Sequence, residues 1–280
     1  MTKSSKNTVN MSTVNKKIVL GGILLLALML VVVSILLRPA PQDLTLRFHP
    51  FVGDKPLRLN TQSYKNPGGE GEFTIRDFQL FISNIVLSFP TNPIYEQESY
   101  HLLRFDGKNT FGQLVIPKIN LSNLSQLSFG IGIDPKANGS LMFSGDLDPN
   151  SRMAWNWQVG YKFLLLEGTL TVNNQQLPLV YHIGFDESYS ELNFDLAKED
   201  MTGNGVINFK IDLRRLFQSS DTDSKQLTNL KPANKVEYMD MSEIPHVKFS
   251  PDDVKAIAAG FHDFISLCDL SPRREFSPCH

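Results

Sequence analysis

Six histidines and two tryptophans are the residues of this chain whose side chains could build a metal site. The histidines are His49, His101, His182, His246, His262 and His280. Imidazole nitrogen is a good ligand for copper and other transition metals. These histidines are spread along the sequence, so the fold would have to bring any ligands together.

Three of the histidines are candidate ligands, and each also has an ordinary structural explanation. His49 lies on the polar side of a predicted strand, where it can simply be exposed. His182 lies at a mostly apolar strand end, where a half-buried, hydrogen-bonded histidine is common. His246 follows Ile244-Pro245 in a predicted loop and can be a surface residue. The sequence leaves both alternatives open for each of them.

Trp155 and Trp157 are the only tryptophans, and they lie two residues apart on a predicted strand. Side chains at this spacing point to the same face of a strand. Both can fill the core, or one of them can have a functional role.

Two further groups of residues suggest weaker possibilities. Asp146, Asp148 and Asn150 resemble the start of a calcium loop, but the glycine and the distal glutamate of an EF-hand are absent. We therefore expect a solvated turn, with calcium as the alternative. Cys268 and Cys279 could close a small C-terminal loop in an oxidising compartment, but they cannot staple the main core.

Several function classes are disfavoured. The sequence has no nucleophile elbow, phosphate-binding glycine loop, His-Glu-x-x-His or Cys-x-x-Cys motif, so we expect a protein that is not an enzyme. Residues 39–280 carry 22 basic and 29 acidic groups, a net charge of −7. Such an acidic region argues against nucleic acid as a partner, because phosphate binding needs a basic surface.

An uncharged run of 20 residues, Ile18 to Leu37, precedes the acidic region. At about 1.5 Å per residue, a helix of this length crosses a hydrocarbon core of roughly 30 Å. The run is longer than the apolar part of a usual signal peptide, so we expect an uncleaved single-pass anchor in the inner membrane. The four lysines before it place the N-terminus in the cytoplasm and the main domain in the periplasm or outside the cell.

The elements that must position the candidate residues are mostly strands. Alternating or branched apolar residues predict them, and Met153 to Gly168 is predicted as one long half-buried strand. A turn at Asn173-Asn174 makes Leu177 to Gly184 its hairpin partner. A helix is predicted from Asp252 to Leu267. The other predicted strands are Leu44–His49, Phe73–Phe89, Leu114–Ile119, Leu127–Ile133 and Val206–Leu213.

The fold class that follows is mainly β, an antiparallel β-sandwich with a C-terminal helix, preceded by one N-terminal transmembrane helix. The expected organisation is a cytoplasmic tail (1–17), a transmembrane anchor (18–37), a linker (38–43), the sandwich domain (44–267) and a C-terminal tail (268–280).

Several ordered blocks resemble the MbnP-like, methanobactin-associated family of periplasmic copper-binding proteins. They are Phe73-x-Ile75 with Phe81 to Ile85, Phe129 to Asp134, Ser144 to Pro149, Trp155-x-Trp157-Gln158-x-Gly160-Tyr161-Lys162-Phe163, Glu167-Gly168 and His182-Ile183-Gly184. Together the blocks cover about residues 44–265.

The resemblance implies one copper ion held by histidines and by a kynurenine made by oxidising a tryptophan. A dihaem cytochrome-type partner, MbnH-like, performs that oxidation in the family. The implied metal residues are His49, His182, His246, Trp155 and Trp157. Indole nitrogen is a poor ligand because its lone pair belongs to the ring, whereas ring opening frees an aniline amine. The alternative function is a metal-free, envelope-anchored β-sandwich interaction module.

The predicted hairpin raises a problem of distance. It places His182 opposite Leu165, about 25 Å along the strand from Trp157. Either the strand is interrupted by a bulge or loop, or the ligands are other histidines such as His49 and His246.

Overall fold

The structure is a computed structural model of the chain. It describes residues 20, 22–30, 32–33, 40–107, 110–139, 144–156, 160–197, 200–219, 236–268 and 279. The chain divides into two units, Met1–Pro41 and Gln42–His280. In the first unit the described residues between 20 and 33 are helical and exposed. Among the described residues no helix is both long and apolar enough to cross a membrane, and the anchor stays a prediction.

The second unit is mainly β, as predicted, and it contains two sheets. The smaller sheet consists of β1 (Gln42–Val52), β2 (Lys55–Pro56), β7 (Gly112–Ile119), β13 (Met201–Thr202), β14 (Val206–Asp212) and β16 (Ile265–Leu267). The larger sheet consists of β3 (Tyr64–Lys65), β4 (Glu72–Ser88), β5 (Ile94–Tyr95), β6 (Tyr100–Phe105), β8 (Gln126–Ile131), β9 (Ala154–Asn156), β10 (Gly160–Val172), β11 (Gln175–Gly184), β12 (Ser190–Asp195) and β15 (His246–Val247).

Among the described strands most pairs are antiparallel, and two pairs are parallel. β1 pairs in parallel with β14, and β11 pairs in parallel with β15. The sequence predicted a mostly antiparallel sandwich, which agrees with most of the pairing, but it did not predict these two parallel pairs. Parallel pairing needs a long connection between the two strands, and in both pairs the partners are far apart in the sequence.

The main core lies between the inner faces of the two sheets. In β1 the residues Leu44, Leu46 and Phe48 have no exposed surface and alternate with half-buried residues, as expected for a strand buried on one face. Phe48 packs against Phe129 of the larger sheet with ring centroids 5.7 Å apart. Burying each such side chain contributes about 1.5–3 kcal/mol.

A second, smaller core lies on the outer face of the larger sheet. The chain between Ser144 and Asn156 covers part of this face and buries Leu147 and Met153 against Phe163 and Leu165 of β10. The larger sheet is therefore partly buried on both sides. This covering segment carries Trp155.

The hairpin predicted around Asn173-Asn174 is confirmed. Both residues have positive φ values, 50° and 59°, which is the geometry of a two-residue type I′ turn. Leu165 pairs with His182, as predicted.

The single long strand predicted for Met153 to Gly168 is wrong. β9 runs antiparallel to the first residues of β10, so the chain folds back between them. Gly160 has φ +86°, and a Cβ atom there would lie 2.3 Å from Oδ1 of Asn138, so the position needs glycine. The same Asn138 oxygen accepts a hydrogen bond from the Tyr161 N–H. Trp157 lies outside the described residues.

The C-terminal part differs from the prediction in one further respect. The α-helix covers only Pro251–Ala258 and is followed by a 3-10 segment, Ala259–Asp263, and then by β16. β16 pairs with β14 in the smaller sheet, so residues predicted as helix form a strand. Cys268 and Cys279 form a disulfide, packed against Phe51.

Candidate metal centre

The outer face of the larger sheet places His182 beside a buried carboxylate. Leu179, Tyr181 and Ile183 of β11 point into the main core, so His182 points to the outer face. Glu167 of β10 pairs with Val180 and also faces outward. His182 Nε2 lies 2.9 Å from Glu167 Oε1.

Glu167 is hydrogen-bonded to three basic side chains. Its Oε2 accepts hydrogen bonds from Nη2 of Arg76 and Nη2 of Arg152, each at 2.6 Å. Burial alone would raise the pKa of this carboxyl, but the hydrogen bonds from His182, Arg76 and Arg152 lower it to about 2. Glu167 is therefore ionised at neutral pH although it is only 7% exposed.

His182 is held in a state suited to metal binding. Burial lowers the pKa of His182, and the positive charges of Lys162 and Lys248 lower it further. The hydrogen bond to Glu167 acts in the opposite direction and raises the pKa. The neutral imidazole is thus favoured. When Nε2–H donates to the Glu167 carboxylate, Nδ1 carries the lone pair that can bind a metal. Metal-binding histidines usually donate their other ring N–H to a carboxylate or carbonyl in this way.

Trp155 lies against the backbone two residues beyond His182. A Cβ atom added at Gly184 would be 2.7 Å from Cζ3 of Trp155, so the indole ring occupies the space that a side chain at position 184 would need. The ring also packs on Phe185 and Phe249, at centroid distances of 5.1 and 5.2 Å. Its Nε1–H is buried and has no hydrogen-bond partner among the described residues.

The two phenylalanines beside Trp155 have unusual backbone conformations. Phe185 has φ +69° and Phe249 has φ +61°, a region that bulky L-residues rarely occupy. Phe249 is also 58% exposed, although it is large and apolar. Backbone strain of this kind concentrates at functional sites, because the surrounding structure must hold it in place.

Lys162 fixes the segment that carries Trp155. It is only 7% exposed, and its Nζ donates to the carbonyl oxygens of Arg152 at 2.7 Å and Ala154 at 3.2 Å. The ammonium lies 6.0 Å from the centroid of the Trp155 ring. Burial, followed by the charge of Arg152, lowers the pKa of Lys162, while Glu167 opposes the shift. Lys162 also pairs with Gly184.

The fold-back thus places Trp155 against Gly184, two residues from His182. The distance of about 25 Å expected from an unbroken strand applied to Trp157, which lies outside the described residues. His246 lies on the same face. It pairs in parallel with Val180, which shares a face with His182. Strand spacing and rise put the Cα atoms of His246 and His182 about 8 Å apart. His246 is exposed.

His49 is not brought to this face. It points outward from the smaller sheet, where its Nε2 lies 3.0 Å from Oδ1 of Asn208 and its ring contacts Phe111. Burial, opposed by the bond to Asn208, lowers its pKa. The outer faces of two packed sheets are separated by more than the sheet spacing of about 10 Å, so His49 and His182 cannot bind one ion.

The acidic run considered for calcium binds the backbone instead. Asp146 Oδ2 accepts a hydrogen bond from the Leu102 N–H, and Asp148 Oδ1 accepts one from the Asn150 N–H. Within the described part of the chain no three His, Cys, Asp or Glu side chains are arranged to hold a metal ion. Among the described residues, a third donor to a metal beside His182 would have to be of another kind.

Glu167 and Lys162 are the site residues that sequence reasoning did not single out as such. A signal for Glu167 is present in the hairpin: once Leu165 lies opposite His182, the outward-facing Glu167 is a diagonal neighbour of that histidine. The contacts of Lys162 depend on the fold-back of β9, which no local pattern indicates.

A family model and a solved structure that are similar to this chain both belong to MbnP. The family model described as MbnP matches residues 41–238, more than half of the chain. The solved structure of MbnP from Methylosinus trichosporium is similar at 17% sequence identity and a TM-score of 0.50. That match covers 81% of this chain and 98% of the other. At this identity the likeness concerns the fold alone. No curated protein matches the sequence.

Proposed function

Because the chain belongs to the MbnP family, we propose that it binds one copper ion on the outer face of the larger sheet. Its role would be copper acquisition, buffering or delivery, and it would not itself be a catalyst. The proposal places the domain in the periplasm, held at the inner membrane by the N-terminal segment.

The observation that carries the proposal is the position of Trp155 against Gly184, beside His182. The buried Nε1–H of Trp155 has no partner among the described residues, and the imidazole of His182 is fixed by Glu167. His182 would bind copper through Nδ1, and His246 is the candidate second imidazole. Imidazole and amine nitrogens suit copper in either common oxidation state.

Conversion of a tryptophan to kynurenine would supply the remaining donor. Ring opening turns the unpartnered indole nitrogen into an aniline amine whose lone pair is free to bind. Trp155 is our first candidate for this conversion, and Trp157 is the alternative. A dihaem cytochrome of the MbnH-like type would perform the oxidation as the partner protein.

The test is intact-protein and peptide mass spectrometry of the native protein, taken from its own host, together with metal analysis. Oxidative ring opening adds two oxygens and the loss of the formyl group then removes one carbon and one oxygen, so the net change of one oxygen gained and one carbon lost raises the peptide mass by about 4 Da. We expect that gain on the peptide containing Trp155 and Trp157, with one copper per chain. Fragmentation of the peptide identifies which residue changed.

Two variants sharpen this test. Trp155→Phe should abolish both the mass gain and copper binding if Trp155 is converted, and Trp157→Phe should leave both unchanged. The opposite pattern would move the ligand to Trp157. Unmodified tryptophans without copper, in protein made with the haem partner present, would favour the metal-free envelope module.

A further inference from the structure

The candidate site is surrounded by more positive than negative charge. Four cations, Arg76, Arg152, Lys162 and Lys248, face two carboxylates, Glu167 and Asp77. Of the cations, only Lys162 is buried, and the two arginines already pair with the carboxylates. Among these four cations, the Lys162 ammonium is therefore the one whose charge a bound ion would experience with the least solvent screening.

A buried lysine at this position calls for an explanation beyond packing. Removing an ammonium from water is costly, and a hydrophobic residue of similar size would fill the same space at lower cost. Lys162 instead holds its charge between two carbonyl oxygens, 6.0 Å from the Trp155 ring. On the neighbouring strand β11, Lys162 is paired with Gly184, which is two residues from His182.

We propose that Lys162 is a specificity-determining residue that selects monovalent over divalent copper at this site. The inference rests on the proposed function. A positive charge repels a divalent ion twice as strongly as a monovalent ion at the same place. The Lys162 ammonium lies 6.0 Å from the centroid of the Trp155 ring, the candidate ligand, so an ion bound beside that ring would lie on the order of 6–10 Å from the charge. At that distance, in a partly buried site, one unit charge changes a binding equilibrium by about tenfold per charge on the ion.

The test compares Cu(I) and Cu(II) dissociation constants of the native full-length chain and of Lys162→Met, each measured by competition with a chromophoric chelator. Loss of the charge should raise Cu(I) affinity about tenfold and Cu(II) affinity about a hundredfold. The ratio of the two affinities should therefore move about tenfold toward Cu(II). Loss of the two hydrogen bonds can weaken the binding of both ions, but it does so by a common factor and leaves the shift in the ratio.

Two further variants complete the test. Lys248→Met removes an exposed charge next to His182 and should give a smaller shift in the same direction, without disturbing a buried contact. Lys210→Met, on the smaller sheet, should leave the ratio unchanged. A constant ratio in Lys162→Met and Lys248→Met, or a shift toward Cu(I), would overturn the inference while leaving copper binding intact. Absence of binding by the native chain would instead refute the proposed function and this inference with it.

Discussion

Replacing Glu167 by glutamine is the most informative single perturbation of the candidate site. The change keeps the shape of the side chain but removes the negative charge on which Arg76, Arg152 and His182 converge. The carboxyl has its pKa lowered from 4.5 to about 2 on folding. A shift of that size corresponds to about 3 kcal/mol of stabilisation at neutral pH.

The pH dependence of this stabilisation has a definite sign. Because the pKa of Glu167 is lower in the folded protein, the stabilisation is fully present above about pH 4.5 and is lost as the pH falls toward 2. Glu167→Gln has no ionisable group at this position. The difference in unfolding free energy between the native protein and the variant should therefore shrink on acidification, to less than half its neutral value by about pH 3.

Urea unfolding followed by circular dichroism, at several pH values, measures this difference directly. Glu191→Gln is the matched control, because that carboxylate is exposed on β12. It should change the free energy of unfolding by no more than about 0.5 kcal/mol. A Glu167→Gln penalty below about 1 kcal/mol at neutral pH, or one that stays constant from pH 7 to pH 3, would refute the electrostatic account.

Three other predictions concern the site and the C-terminus. Gly184→Ala should destabilise the protein by about 1–3 kcal/mol and shift the indole emission, because the new methyl group overlaps the Tyr161 carbonyl oxygen and the Trp155 ring. Gly203→Ala meets no atom within 4 Å and should do neither. His182→Asn should weaken copper binding at least tenfold in a chelator competition, and His49→Asn should not, since His49 lies on the other sheet. Reducing the C-terminal disulfide should lower the melting temperature, with a cost of up to about 3 kcal/mol, and leave copper binding unchanged.

The parts of the fold that depend on local chemistry could be predicted from the sequence. Asn173-Asn174 tolerates the positive φ values of a tight turn, and this fixes the hairpin register that sets Leu165 opposite His182. The strands of the main core follow from alternation, as in β1. Composition and the absence of catalytic motifs could indicate only which classes of function are disfavoured, and they could not locate a site.

What could not be predicted depends on contacts between distant residues. The alternation of apolar residues continues from Met153 through Leu165, although the chain reverses in between, so the pattern alone suggests one strand. The reversal depends on Asn138, which binds the backbone of Tyr161 from 23 residues earlier. The contacts of Lys162 with Arg152 and Ala154 form only after this reversal.

The parallel pairing of β1 with β14 has a consequence for how the chain folds. More than half of the chain lies between Thr45 and its partner Val206, so this edge of β1 stays open until the later strand arrives. Contacts between such distant residues require costly loop closure, which slows folding. The hairpin and the fold-back that bring Trp155, Glu167 and His182 together are local by comparison. We therefore expect the candidate metal centre to gain its shape early, while the smaller sheet completes last and is the region most exposed to wrong pairing.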